Sequence, residues 1–226
     1  HLDFRRQRQM CIRDRIYGEP QIIFEDESDN YGNYWTESSE WSNTYEEYFS
    51  PQTSITDSPY SNYSNNSEEI IQLINTINLS GFTYAEINFD AKWNIESGYD
   101  YVQLEISTDN GNTWIPQCGK YTTKGIETHD YALDEPLYDG NQSEWVNENI
   151  SLSDYLGDEI SLRFKLYTDG GLRRDGFYFD NFEIKGLSEN LSNSEIQQNN
   201  SMVFPNPVSD YLNIRSENEI LKIQIY

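Results

Sequence analysis

A two-residue alternation of apolar and polar side chains limits what this chain can fold into more than any other feature. In residues 83–93, Ala85, Ile87, Phe89, Ala91 and Trp93 fall on one side while Glu86, Asn88, Asp90 and Lys92 fall on the other. Successive side chains of a β-strand point to opposite faces, so this segment is a strand with one face buried. Residues 99–107 repeat the pattern with Val102, Leu104 and Ile106 inward, and residues 159–167 repeat it with Ile160, Leu162, Phe164 and Leu166. Further strands are expected at IIFE near residue 22, EEIIQLI near 68, EWVNENI near 144 and GFYFDNFEIK near 176. No segment keeps a long 3.6-residue apolar period, and residues 151–157 make at most a helical turn. Parallel strands need crossover helices, and none are on offer. Seven or eight strands with polar, glycine-containing connections over residues 22–186 therefore predict an all-β fold, an antiparallel jelly-roll β-sandwich.

One turn is legible in detail. Residues 107–114 follow the pattern S-x-D-x-G-x-T-W, in which Asp109 bonds turn amides, Gly111 takes a positive φ and Trp114 closes over the hairpin. A single copy without a blade-length repeat argues against a propeller, so the box marks a hairpin and not an active site.

Charge narrows the partners. With 39 Asp and Glu against 15 Lys and Arg, the net charge is −24, which repels nucleic-acid phosphates and anionic headgroups. No run of some 18 apolar residues is present to insert in a membrane. The 18 Tyr and 5 Trp argue for a packed β core and against a disordered acidic tail. Residues 1–15 break with this composition, holding five of the 15 basic residues. The run QMCIRDR within them resembles translated adapter sequence, and the segment is set apart from the fold as a sequence artefact. Cys11 goes with it, leaving Cys118 without a partner for an intramolecular disulfide.

Catalytic readings find little support. The two histidines are His1 and His129, too few for a two-His zinc site, and Cys118 lacks companion thiols. A Cys118–His129 nucleophilic pair would sit in one loop without an orienting group, so a buried or loop Cys and a solvated His are expected. Calcium suits the composition better, because it takes six to eight oxygen ligands. Candidate ligands are Glu25, beside Asp26 on the first strand, Asp57 in a turn-like segment, and Asp180 on the last strand. At Asp180 and Asn181 the alternation breaks: Phe177 and Phe179 share one parity, Phe182 and Ile184 the other. A bulge there aims a carboxylate out of the ladder. The alternative is that Asp57 caps an Asx turn and Asp180 bonds backbone amides. The rings of Tyr31, Tyr34, Trp35, Trp41, Tyr45, Tyr48, Phe49, Tyr60 and Tyr63 offer a rival function as a sugar-stacking platform, or else bury themselves to hold long loops.

Two resemblances complete the reading. Phe204, Pro205, Asn206, Pro207, Asp210, Leu212 and Ile214 match the opening of the type IX secretion C-terminal sorting domain. That resemblance implies a linker over residues 187–200 and a truncated small β-sandwich over 201–226, a secreted or cell-surface location, and the type IX machinery as a partner. The body, including KWNIESGYDYVQLEISTDNGNTW and DGFYFDNFEI, resembles the jelly-roll module of secreted bacterial zinc carboxypeptidases and the MAM-like domains of immune-inhibitor-A-like metalloproteases. Phe24-Glu25, Asp57 and Phe179-Asp180 match the places where such sandwiches bind calcium, which implies a structural calcium ion. The carboxypeptidase zinc motif H-x-x-E matches nothing in the sequence. The expected function is a non-catalytic accessory module of a secreted hydrolase, partnered by an upstream catalytic domain and its glycan or peptide substrate. A carbohydrate-binding or adhesion module is the alternative.

Overall fold

The computed structural model describes residues 19–188 and two short strands at 202–204 and 213–215. Residues 1–15, with His1 and Cys11, and Pro205, Asn206, Pro207, Asp210 and Leu212 of the sorting motif lie outside the described residues. The chain divides into two compact units, His1–Glu189 and Asn190–Tyr226.

The described residues of the first unit begin with β1 (Gln21–Asp26), the single turn α1 (Tyr31–Tyr34), β2 (Ser42–Thr44), β3 (Ser54–Thr56), β4 (Glu68–Gln72), β5 (Ile77–Asn78) and β6 (Phe82–Asn94). They continue with β7 (Tyr101–Ser107), β8 (Ile115–Pro116), β9 (Thr123–Lys124), β10 (Pro136–Leu137), β11 (Asn141–Ser151), β12 (Glu159–Tyr167) and β13 (Gly176–Ser188). One sheet runs β11-β6-β13-β3-β2 with β1 also on β13; the other runs β4-β12-β7-β8 with β5 also on β12. Their pairings are antiparallel. From β4 through β6, β7, β11, β12 and β13 each long strand lies in the sheet opposite its predecessor. This is the jelly-roll sandwich that the alternation predicts, with β13 running two residues past the expected boundary at 186.

The inward residues named from the alternation on β6 and β12 are all buried. Phe164 of β12 reaches across to the other sheet, stacking on Phe179 with ring centroids 4.5 Å apart and meeting Phe89, Phe177 and Phe182 within 6.2 Å. β7 departs from the expected half-burial, since all seven of its residues are buried. A long connection covers its outer face, where Gln103 donates to the Pro136 carbonyl and the Tyr101 hydroxyl to the Asp130 carbonyl, and it also bridges the strand edge by backbone pairing of Tyr138 with Val102.

The 107–114 turn joins β7 to β8 as expected. Thr113 donates to Asp109 through its amide (2.8 Å) and hydroxyl (2.7 Å), Gly111 has φ +84°, and Trp114 Nε1 donates to the Gly111 carbonyl (3.0 Å). The Trp114 ring then lies under the Arg163 guanidinium, 4.1 Å from it, and Arg163 pairs with the buried Glu105. In the second unit, β14 (Met202–Phe204) and β15 (Asn213–Arg215) pair antiparallel, with Val203 opposite Ile214 and Phe204 opposite Asn213.

Candidate cation sites

The break in alternation on β13 is a bulge. Register with β6 shifts between Asp180 and Glu183, and Asn181 takes φ +50°. On its other flank β13 pairs first with β3, at Tyr178 and Phe179, and then with β1, from Phe182 onward. Asp180 stands in the gap between those two neighbours, fully buried. Its carboxylate accepts the amides of Phe49 (2.9 Å), Ser50 (2.8 Å) and Asn181 (2.8 Å) and the Ser50 hydroxyl (3.2 Å), so both oxygens are engaged. Burial nonetheless raises its pKa.

The other two expected ligands stand elsewhere. Asp57 follows β3 directly and is fully buried; the Phe177 amide donates to Oδ2 (3.0 Å), while Oδ1 has no partner. Burial pushes its pKa up to about 7. Gly176 is required beside it, because its φ is +93° and a Cβ there would lie 1.9 Å from Asp57 Oδ1. Asp57 lies beside Phe177 and Asp180 three residues further on, roughly 10 Å along the strand at some 3.3 Å per residue. Glu25 is exposed and opens on a cleft of about 250 Å3 shared with Asp26, Glu27, Asp29, Asn30 and Tyr34. Its neighbour Asp26 turns inward instead, accepting Trp35 Nε1 (2.7 Å) and the Ser28 amide (2.9 Å). Burial raises the Asp26 pKa, and the nearby Asp180 charge adds to it. Glu25, Asp57 and Asp180 are therefore not brought to one point and do not form a single donor set. A register shift between Ile22 and Phe24 accounts for the exchange of Asp26 for Glu25, since a one-residue slip turns a strand's side chains to the other face.

Two further carboxylate features have no mark in the sequence: the buried Glu148, and a cluster in which only Asp100 is buried. Glu148 is fully buried and accepts the amides of Lys120 (2.6 Å), Tyr121 (2.9 Å) and Asn149 (2.7 Å) and the Tyr138 hydroxyl (3.0 Å), which ties the 117–124 loop to β11. Glu96, Asp100 and Asp169 bring carboxylate oxygens within 4.8 Å of one another. In a chain this acidic nothing in the sequence singles them out.

The aromatic platform loses its indoles. Trp35, Trp41 and Tyr63 are at most 1% exposed and belong to the core, leaving Tyr34, Tyr45, Tyr48, Phe49 and Tyr60 outside. His129 is likewise buried and not solvated. The Ile126 amide donates to its Nδ1 (3.0 Å), Asp139 stands 3.4 Å from Nε2, and the ring packs edge-on to Tyr101. Cys118 is exposed and contacts Thr122 and the Gly119 carbonyl. Neither residue bonds the other, so the hydrogen bond that activates a nucleophile is not made.

The immune inhibitor A-like MAM domain family matches residues 51–202, well over half of the chain. The chain belongs to that family. Among relatives of this MAM domain, the pre-pro-metalloprotease PrtV of Vibrio cholerae is 32% identical over 113 residues, 49% of the chain and 11% of PrtV. Immune inhibitor A of Bacillus thuringiensis subsp. alesti is 26% identical over 108 residues, 47% of the chain and 14% of that protein. The chain thus spans a small part of the length of these relatives. Among solved structures, the CBM22-1 xylan-binding domain of Paenibacillus barcinonensis Xyn10C is 12% identical with a TM-score of 0.47, covering 76% of this chain and 99% of that one. The K2 cleaved adhesin domain of Lys-gingipain is 15% identical with a TM-score of 0.43, covering 74% of this chain and 98% of that one.

Proposed function

We propose that this MAM domain is a non-catalytic accessory module of a secreted or cell-surface hydrolase, a zinc carboxypeptidase, and that it positions the catalytic domain against its substrate. What supports the reading is the partial coverage of its relatives: the chain aligns with one small portion of much longer proteins, one of them named a metalloprotease. The interior agrees with a scaffold. The buried acids Asp180 and Glu148 spend their oxygens on loop amides, and His129 is locked into its own loop. Peptide substrates incubated with the purified chain are expected to stay intact. Turnover that copurifies with the chain and is abolished by a zinc chelator would overturn the proposal.

Two finer elements belong to the same proposal. The Phe204–Ile214 motif serves as the opening of a type IX sorting domain, so deleting residues 205–207 from the full-length parent is expected to abolish export; undiminished secretion would sink that element. A structural calcium ion steadies the acidic module, and chelation is expected to lower its melting midpoint.

A further inference from the structure

We propose that Glu96, Asp100 and Asp169 form a calcium site that fastens the loop after β12 to the loop between β6 and β7. The inference rests on the structural-calcium element above but places the ion at residues different from those the family resemblance implies. Asp100 is fully buried, and its Oδ2 accepts no hydrogen bond. The Tyr63 hydroxyl lies close enough to the Asp100 carboxylate to lower its pKa against the larger rise from burial, but the hydrogen bonds its geometry makes run to the Leu172 carbonyl (3.3 Å) and from the Glu96 amide (3.0 Å). A buried carboxylate oxygen with no donor is costly unless a cation takes the place of the missing hydrogen.

The loop backbone arranges the other oxygens in the same way. The Asp169 amide donates to Asp100 Oδ1 (2.7 Å), the Gly171 amide to Asp169 Oδ1 (2.5 Å), and the Leu172 amide to Glu96 Oε2 (2.7 Å). Each carboxylate thereby has one oxygen held by backbone and a second that accepts no hydrogen bond from the described residues. Close by, Asn65 donates to the Gly171 carbonyl (3.0 Å) while its own Oδ1 is buried without a partner. None of the ion pairs among the described residues uses Glu96, Asp100 or Asp169. Among the described residues, then, three carboxylates with oxygens within 4.8 Å of one another have no basic side chain paired with them.

The donor set selects the ion class. All donors are hard oxygens, whereas zinc prefers imidazole and thiolate. Calcium accepts six to eight oxygens in irregular geometry, and magnesium demands a near-ideal octahedron. Three carboxylates completed by the Asn65 oxygen and water suit calcium. The loop so held runs on to β13 and meets the segment after β3: the Tyr63 amide donates to the Arg174 carbonyl, and Asn62 to the Arg173 carbonyl. The ion would thus set the whole end of the sandwich where those two segments meet.

The test melts the full 226-residue chain in EDTA and in excess calcium chloride, with calcium titration by calorimetry. The native chain is expected to melt higher with calcium. In Asp100→Asn, Asp169→Asn and Glu96→Gln that increment is expected to vanish and affinity to fall at least tenfold, while Glu25→Gln keeps both. Glu96→Gln retains an acceptor for the Leu172 amide, so it guards against variants that simply fail to fold. A crossover is the sharpest expected result: Asp100→Asn melts no lower than the native chain in EDTA but lower in calcium. An increment that survives in all three variants but is lost in Glu25→Gln overturns this site and leaves the calcium element standing. No increment in the native chain removes both. An equal response to magnesium overturns the assignment to calcium.

Discussion

Asp109 sits in the open, yet the Thr113 hydroxyl and amide and the Ser107 hydroxyl all donate to it and hold its pKa at about 2, below the usual 3.8. The folded chain therefore binds fewer protons than the unfolded chain between those values. Its contribution to stability is complete above about pH 3.8 and is lost as pH falls through about 2. A carbon-detected NMR titration should place the Asp109 midpoint near 2, and Thr113→Val should move it up toward 3.8. This residue could be read from the sequence because every partner lies within four positions of it. Asp180 was legible for a related reason, since the parity change from Phe179 to Phe182 announces the bulge. Asp26 and Asp100 were not. Their burial depends on a slip in β1 and on a loop more than sixty residues distant, neither of which leaves a local mark.

Elements show the same division between local and distant causes. The alternation on β6 and β12 states which face is inward, and the structure agrees at each named residue. It does not state that β7 is covered on both faces, because the cover comes from the 117–139 connection and is irregular in sequence. Nor does it separate Trp35 and Trp41 from the exposed rings around them. Those indoles are buried against Phe164 and Phe179, residues over a hundred positions away. Phe164 touches rings from two strands of the opposite sheet, β6 and β13, so it ties the two layers together. Phe164→Ala is expected to cost about 3–5 kcal/mol, read from the midpoint of urea unfolding. A loss under about 1 kcal/mol would mean that the layers are held elsewhere.

At the scale of the whole molecule, a net charge of −24 acts against compaction. Added sodium chloride shortens the screening length from about 10 Å at 0.1 M to about 3 Å at 1 M. In EDTA the melting midpoint is therefore expected to rise as sodium chloride increases over that range, and a flat response would show that the surface acids are already spaced to tolerate one another. The placement of the two ends of the sandwich carries a mechanical consequence. Gln21, at the start of β1, is the register partner of Gly186, near the end of β13. Tension applied across these two points would open the β1–β13 ladder one hydrogen-bonded pair at a time, as a zipper opens, instead of loading all its bonds together in shear. Pulled from its ends, the domain yields gradually from one corner, and the covered layers behind it are the last to feel the force.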